Sequence, residues 1–502
     1  MDQERVQAIR NSEKNSVAIA RFFLEEYPYF VLDKIALEGD GDGKGGTYEL
    51  YDYDPNSGLY KYIDDSQFDR YYMNFILKYG IDKIWKINRI NEIKRAIFAL
   101  NKLPEVEFDS KETLLLLNNG IYDIIKDELY EFSPTIYFRT KIDVDYERGA
   151  TSRAFAQFLM DCFRLSENTY DIETVESLIK IGGYLLYPKN KLKLMFLFLG
   201  EGSNGKSILS DIYQMFFHKG GITHLDLNTL SSSSSLEREK IIGSRFNVTT
   251  EAKSDKLDSE MIKKIISSEG IMVTRKFKVA VSYRPITKIL VASNMNPYFN
   301  DTTHGIYRRI HPVTFPNRFV PKAEYRKFVN PEKKNIYLAR DEDEMFEEFR
   351  KDKSGIFNMF IAGLRKIIDN NWQLEKSANS QATLDEYKDA SDNLGYFLRQ
   401  YYEEFDEESD EDSPGVSANE VLEHYRIWHR DNVSETALRL GVQSIGKKIK
   451  ELFRVESKRS YINKKDRVSL YPIKRINYAE RELLSIVPND ESASAENQET
   501  LL

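Results

Sequence analysis

Short apolar runs alternate with segments of helical spacing through the middle of the chain. The runs lie at 192–199, 222–227, 246–250, 287–293 and 310–315. Apolar strands separated by amphipathic helices are typical of a parallel sheet covered by helices. The sequence therefore predicts an α/β fold whose core occupies residues 191–345.

The regions before and after this core have a different spacing. Residues 1–105 combine a polar helix near 5–26 with strands at 27–37 and 47–53, which predicts a mixed α/β N-terminal domain. The glycine-rich segment between those strands is interpreted as a hairpin loop. Residues 106–190 carry apolar positions at helical intervals, including Phe155, Leu159 and Cys162, and predict a helical collar. Residues 346–402 are amphipathic and predict a helical extension.

The C-terminal part begins with a charge block. Eight of the ten residues from Glu403 to Asp412 are acidic and Ser-Pro-Gly follows, so residues 403–415 are interpreted as a linker. Residues 416–479 predict helices at 419–430, 435–440 and 444–452 and then a basic hairpin. This order favours a winged helix-turn-helix whose third helix, with Lys447, Lys448 and Lys450, binds DNA, although an interaction domain stays possible. Residues 480–502 are polar and are predicted to be largely disordered.

A phosphate-binding motif follows the first apolar strand of the core. Gly200-Glu-Gly202-Ser-Asn204-Gly205-Lys206-Ser207 fits G-x-x-x-x-G-K-S between a predicted strand and a predicted helix. Glycines allow backbone N–H groups to turn toward a phosphate at the start of a helix, and the lysine adds a cation. The serine hydroxyl is suited to Mg²⁺. The motif predicts that ATP and Mg²⁺ bind here.

Polar residues near the ends of later strands complete a candidate catalytic set. Glu251 follows the strand at 246–250 and is predicted to activate water and, with Ser207, to hold the metal. Asn294 ends the next long strand and is suited to the γ-phosphate or the attacking water. Arg308 and Arg309 follow without a nearby acid, which suits a cation offered to a neighbouring subunit's nucleotide. The sequence leaves open which of the two arginines reaches that site.

A basic hairpin is predicted between Glu251 and Asn294. Its centre holds Arg275, Lys276, Phe277 and Lys278. Cations bind phosphates and an aromatic ring can stack on a base without reading sequence. These four residues are therefore candidates for DNA binding, with an exposed basic hairpin as the alternative.

The order of these motifs resembles the superfamily 3 helicases, in the branch of poxvirus and satellite-phage primase-helicases. The nearest likeness is to the replication-initiator Rep helicases of staphylococcal pathogenicity islands and related mobile elements. The resemblance implies an AAA+ ATPase that assembles as a hexamer on DNA. It further implies that Lys206 belongs to the Walker A motif, Glu251 to Walker B and Asn294 to sensor 1, and that Arg308 or Arg309 is the arginine finger. Thr250 departs from many relatives, which carry a second acid before the Walker B glutamate.

The predicted function is an ATP-dependent hexameric DNA helicase that initiates replication of a mobile element by melting and unwinding origin DNA. Two alternatives remain. One is a primase-helicase that also makes primers, and the other is a DNA-binding regulator in which ATP acts only as a switch.

Charge changes this picture in one respect. The net charge of −8 argues against a nucleic-acid partner, yet residues 261–330 hold 13 Lys+Arg and 3 Asp+Glu, and residues 441–479 hold 11 and 3. Because salt screens charge beyond about 8 Å, DNA would feel these local basic regions rather than the total. A single cysteine and the lack of a long apolar run predict a soluble, cytoplasmic protein without membrane contact.

Overall fold

The computed structural model divides the chain into two compact units, Met1–Leu384 and Asp385–Leu502, called here the N-terminal unit and the C-terminal unit. The structure describes residues 3–33, 49–100, 103–218, 220–232, 235–250, 257–276, 278–297, 299, 304–391, 393–404, 415–432, 440–462 and 466–476. The predicted loop at 39–46, most of the predicted linker and the predicted tail at 480–502 lie outside these residues.

The N-terminal unit contains thirteen α-helices among its described residues. They are α1 (Gln3–Asn11), α2 (Ser16–Glu26), α3 (Asp65–Tyr79), α4 (Ile87–Ala99), α5 (Arg153–Cys162), α6 (Ile172–Leu186), α7 (Lys206–Gln214), α8 (Leu227–Ser231), α9 (Ser259–Ile266), α10 (His304–Tyr307), α11 (Lys322–Tyr325), α12 (Glu342–Lys351) and α13 (Lys353–Asp369). Helix α14 (Ala378–Ser391) crosses the boundary between the units. Short 3₁₀ helices lie at Asp82–Ile84, Leu236–Ile241 and Pro331–Lys334.

The strands of this unit form several sheets. They are β1 (Val31–Asp33), β2 (Leu50–Asp54), β3 (Leu59–Ile63), β4 (Glu105–Val106), β5 (Leu114–Leu117), β6 (Gly120–Asp123), β7 (Glu128–Tyr130), β8 (Arg164–Ser166), β9 (Thr169–Tyr170), β10 (Met195–Leu199), β11 (Ile222–Thr223), β12 (Phe246–Thr249), β13 (Ile271–Arg275), β14 (Lys278–Tyr283), β15 (Lys288–Ser293), β16 (Ile310–Thr314), β17 (Arg318–Val320) and β18 (Ile336–Leu338).

The first hundred residues are mixed α/β, as the sequence predicts. A four-stranded sheet has the order β3-β2-β1-β4, and α1 to α4 pack in one apolar cluster with it. The single helix predicted near 5–26 is instead two helices. The Asn15 side chain accepts hydrogen bonds from the backbone N–H groups of Val17 and Ala18, and this N-cap starts a new helix at Ser16.

The prediction of a helical collar over 106–190 is wrong for its first half. Strands β5, β6 and β7 form an antiparallel sheet there, and only α5 and α6 are helical. Leu117 pairs with Gly120 across a two-residue turn, and Gly120 adopts φ 156°. A continuous apolar run such as 114–117 does not distinguish a strand from a helix by periodicity, so the tight turn decides the structure.

The predicted parallel core is confirmed. Five strands form one sheet in the order β11-β12-β15-β10-β16, and every neighbouring pair is parallel. All five apolar runs identified in the sequence belong to this sheet. Strand β10 is buried along its whole length, which is expected for a central strand covered by helices on both faces. The carboxyl ends of the five strands therefore meet at one edge.

The C-terminal unit has its own apolar core. Its elements are α15 (Asn393–Tyr401), β19 (Tyr402–Glu404), β20 (Val416–Ser417), α16 (Ala418–Asn432), α17 (Val442–Phe453), β21 (Lys458–Ile462), β22 (Asp466–Tyr471) and β23 (Ile473–Arg475). Strands β20, β22 and β21 form one antiparallel sheet, and β19 pairs with β23. The helix predicted at 435–440 falls almost entirely outside the described residues.

The boundary between the units differs from the prediction. Helix α15 was expected in the extension at 346–402, but Phe397 and Leu398 are buried in the same cluster as Tyr425 and Ile449. The amphipathic pattern of α15 identifies an apolar face without identifying its partner. Packing against α16 and α17 places α15 in the C-terminal unit.

Candidate nucleotide site and nucleic-acid interface

The segment 200–205 forms a loop between β10 and α7 with an unusual backbone. Gly200, Gly202 and Gly205 have φ values of 153°, 107° and 89°, and Ser203 has φ 50°. Residues with a Cβ rarely adopt such values, so three glycines within six positions permit this loop. Gly205 is the N-cap of α7, whose first N–H groups therefore face the loop. The local backbone is that of an anion-binding helix start.

The loop lies against two other parts of the N-terminal unit. A Cβ atom on Gly205 would approach the Cys162 sulfur to 2.6 Å, which places the end of α5 directly beneath the loop. The backbone N–H of Phe319 donates to the Ser203 carbonyl at 2.6 Å. Burial raises the pKa of the Cys162 thiol, so this side chain acts as apolar packing. The loop is therefore in contact with the end of α5 and with β17.

Lys206, the first residue of α7, places a buried charge next to the loop. Its side chain is only 6% exposed, and Nζ donates to the Gly200 carbonyl at 2.9 Å and to Asn204 Oδ1 at 3.3 Å. Both acceptors are uncharged, and burial lowers the pKa of the lysine. Within the described residues, the buried Nδ2 of Asn204 has no hydrogen-bond acceptor. A cation on neutral oxygens beside an unsatisfied donor fits an anionic group such as a phosphate.

Ser207 and Asn294 lie near the same edge of the sheet. Ser207 follows Lys206 on α7 and is exposed, and Asn294 is an exposed residue directly after β15. Strand β15 lies between β10 and β12, and Leu199 pairs with Ser293 in register. Asn294 therefore emerges beside the start of the glycine-rich segment Gly200–Ser207, called here the P-loop. The order of the strands in the chain does not reveal that Asn294 lies next to this segment, because β12 stands between β10 and β15 in sequence.

The predicted metal ligands are only partly described. Glu251 lies two residues after β12 and outside the described residues, so its position stays a prediction. Among the described residues, no group of three or more His, Cys, Asp or Glu side chains is placed to hold a metal ion. An Mg²⁺ ion bound with ATP requires few protein ligands, and the exposed hydroxyl of Ser207 is one oxygen suited to it.

Arg308 and Arg309 differ in their environment. Arg308 is exposed on the turn before β16. Arg309 is partly buried; its Nε donates to Ser267 Oγ at 2.9 Å and its Nη1 to the Gly305 carbonyl at 2.6 Å. The sequence could not distinguish these neighbours. In the structure Arg308 is the more exposed of the two.

The predicted basic hairpin is formed by β13 and β14, which pair antiparallel. Arg275 is only 9% exposed and forms ion pairs with Glu49 and Glu239. In this conformation two carboxylates hold the guanidinium, which does not favour its contact with a phosphate. The DNA-binding role of Arg275 stays a prediction. Lys276 is exposed. Phe277 and the side chain of Lys278 lie outside the described part of the chain.

The basic helix of the C-terminal unit presents its lysines in different ways. Lys447 is exposed, whereas Lys448 and Lys450 are half-buried and pair with Glu451 and Glu456 respectively. Ile445 and Ile449 point into the core of the unit. Exposed ion pairs are weak, so all three lysines remain compatible with phosphate binding.

Two features of the site were missed from the sequence. Cys162 was recognised only as one member of an apolar stripe, and Ser267 carried no signal because nothing marks one serine among 502 residues. Both become significant through long-range contacts.

No helix in the described part of the chain is both long and apolar enough to cross a membrane.

Two families match parts of the chain. Residues 69–164 match the family described as D5 N terminal like. Residues 198–309 match a family of unknown function, DUF5906. The second range contains the P-loop, the β13–β14 hairpin, Asn294 and the two arginines.

Curated relatives from large DNA viruses share about a fifth of their aligned residues with the chain. The candidate primase C962R of African swine fever virus is 22% identical over 258 residues, covering 49% of this chain and 26% of the relative. The candidate helicase L207/L206 of Acanthamoeba polyphaga mimivirus is 22% identical over 341 residues, covering 64% of this chain and 34% of the relative. The chain thus spans about a quarter to a third of the length of these proteins.

A solved structure, the A form apo structure of the NrS-1 C terminal region, is also similar. It is 13% identical with a TM-score of 0.45, and the match covers 90% of this chain and 98% of that one. The D5 N terminal like match and the named viral relatives together support a primase-helicase superfamily.

Proposed function

We propose that the chain is an ATP-dependent DNA helicase of the AAA+ superfamily 3 type, working as a hexamer to melt and unwind origin DNA of a mobile element. The observation that carries the proposal is Lys206, a buried cation on neutral oxygens in a glycine loop at the carboxyl edge of a parallel sheet. The viral relatives named primase and helicase support action on DNA in replication.

Each site residue has a proposed role in ATP hydrolysis. The Lys206 ammonium binds the β- and γ-phosphate oxygens, and the N–H groups at the start of α7 bind the β-phosphate. Ser207 and Glu251 hold Mg²⁺, which when bound neutralises phosphate charge. Glu251 orients the attacking water and accepts its proton, and Asn294 positions that water or the γ-phosphate.

Arg308 is proposed as the cation supplied to the neighbouring subunit's nucleotide. Its exposure supports this role, because a residue acting across an interface must reach the surface of its own subunit. Lys276 at the hairpin is proposed to contact the DNA backbone. The C-terminal unit is proposed to be a winged helix in which α17, with Lys447, contacts origin DNA.

Strand displacement on a forked duplex tests the helicase proposal. Lys206→Ala should abolish ATP hydrolysis and unwinding, whereas Lys83→Ala, which changes an exposed lysine far along the chain from the loop, should leave both unchanged. Unwinding by Lys206→Ala at the wild-type rate would refute the role of the loop. Light scattering with ATP and DNA tests the hexamer, and a protein that stays monomeric under all conditions refutes the role of Arg308 in trans.

A primase-helicase that also makes primers is the second candidate. The name of the African swine fever virus relative favours it. Incorporation of labelled nucleotides on a single-stranded template, without added primer, tests this activity. Products that depend on the chain and persist in Lys206→Ala would establish a second active site.

A further inference from the structure

The hairpin formed by β13 and β14 is connected to α9 through a short segment that begins at Ser267. Ser267 is 9% exposed, and its hydroxyl accepts a hydrogen bond from Arg309 Nε at 2.9 Å. Only three residues separate Ser267 from Ile271, the first residue of the hairpin. A displacement of Ser267 is therefore transmitted to the hairpin over a very short length of chain.

Arg309 is fixed to two further parts of the N-terminal unit. Its Nη1 donates to the Gly305 carbonyl on α10 at 2.6 Å. Its own backbone carbonyl accepts a hydrogen bond from the N–H of Met195, the first residue of the P-loop strand, at 2.7 Å. One residue thus contacts the strand that leads to the P-loop, the turn that carries Arg308 and the root of the hairpin.

We propose that Arg309 is a positioning residue that couples the Arg308 turn to the hairpin through Ser267. The inference rests on the proposed function, in which Arg308 contacts the neighbouring subunit's nucleotide and the hairpin contacts DNA. When Arg308 follows a change in that nucleotide, the adjacent Arg309 moves with the turn, and its hydrogen bond moves Ser267 and the hairpin root. Arg309 Nε and Nη1 are directed to Ser267 and Gly305, which favours a positioning role for this residue over contact with the nucleotide.

The coupling predicts that hydrolysis and unwinding separate when the Ser267 hydroxyl is removed. Ser267→Thr and Ser267→Val have nearly the same shape, but only threonine keeps the hydroxyl. We expect both variants to hydrolyse ATP within about twofold of wild type. The number of base pairs unwound per ATP should fall about tenfold in Ser267→Val and stay near wild type in Ser267→Thr, since a hydrogen bond to a charged group is worth at least a factor of ten.

Ser268→Ala provides a neighbouring control. The Ser268 hydroxyl is buried, and it has no hydrogen-bond partner among the described residues. Its removal should leave the number of base pairs unwound per ATP unchanged. Thermal unfolding of each variant establishes that the differences do not come from loss of structure.

The outcomes separate the inference from the proposed function. If the wild-type protein hydrolyses no ATP or unwinds no DNA, the proposed function fails. If the wild-type protein unwinds DNA but Ser267→Val and Ser267→Thr unwind equally many base pairs per ATP, the coupling role of Arg309 is wrong. An equal loss in Ser268→Ala also overturns it, because the effect would then belong to the segment rather than to the hydrogen bond.

Discussion

Replacing Gly205 by alanine tests how closely the Cys162 side chain packs against the P-loop. Gly205 combines a positive φ of 89° with a position directly above Cys162, whose sulfur lies 2.6 Å from the place of an added Cβ. Gly202 is a natural comparison. It has φ 107°, but a Cβ there meets nothing within 4 Å. The two substitutions therefore share backbone strain and differ in steric contact.

The magnitudes follow from these two terms. Holding a non-glycine residue at such a φ costs about 1–3 kcal/mol, and this applies to both Gly202→Ala and Gly205→Ala. Inserting a methyl group against a packed side chain adds about 1–3 kcal/mol, and this applies to Gly205→Ala alone. Gly205→Ala should therefore lower the free energy of unfolding by about 2–6 kcal/mol, and Gly202→Ala by about half as much.

A double-mutant cycle with Cys162→Ala isolates the contact. In the Cys162→Ala background the sulfur is absent, so Gly205→Ala should lose about 1–3 kcal/mol of its cost while Gly202→Ala keeps all of its own. Urea denaturation without nucleotide, monitored by a spectroscopic signal from the N-terminal unit, measures these differences in the free energy of unfolding. If Gly205→Ala costs the same free energy in both backgrounds, Cys162 does not support the loop and the reasoning is refuted.

The remaining predictions concern three ionisable side chains. Burial lowers the pKa of His311 from 6.5 to about 3, so the unfolded chain binds more protons between those pH values and stability falls as the pH falls through that window. The free energy of unfolding should fall by about 1.4 kcal/mol per pH unit. This loss should disappear in His311→Asn, which urea midpoints at several pH values will show. Equal slopes of stability against pH in the variant and the wild type would contradict the prediction. Arg275→Ala removes the cation shared by Glu49 and Glu239 and should cost about 3–5 kcal/mol of stability. Lys276→Ala should cost less than about 0.5 kcal/mol of stability, and it should reduce the salt dependence of DNA binding by about one unit of slope. The reverse pattern would favour Arg275 over Lys276 as the DNA ligand.

The backbone of the candidate nucleotide site could be predicted in large part because its signals are local. The glycine spacing from Gly200 to Gly205 reports the backbone directly, since few other residues accept those φ values. The five core strands were identified because each is a short apolar run bounded by polar segments. Prediction failed where the same local pattern permits two structures. The run at 114–117 was read within a helical region, and a two-residue turn made it a strand.

Arg275 and α15 show a different limit of local patterns. Arg275 is basic, lies on a hairpin and was expected to bind DNA, but its partner Glu49 lies 226 residues earlier in the chain. The amphipathic pattern of α15 does not indicate which helices it packs against. Contacts between residues distant in the chain leave no trace in local periodicity.

The sequence by itself determined the α/β class, the strands of the parallel sheet and the glycine-rich loop at 200–205, because each depends on residues close together in the chain. Only the tertiary structure decided which of the adjacent arginines is the more exposed, that Arg275 pairs with Glu49 and Glu239, and which side chain packs against the P-loop. These depend on the order β11-β12-β15-β10-β16 and on the packing of α5 and α9 around it. Chain folding brings Ser267 to Arg309 and Cys162 to Gly205, and those distances arise only when the whole sheet is assembled.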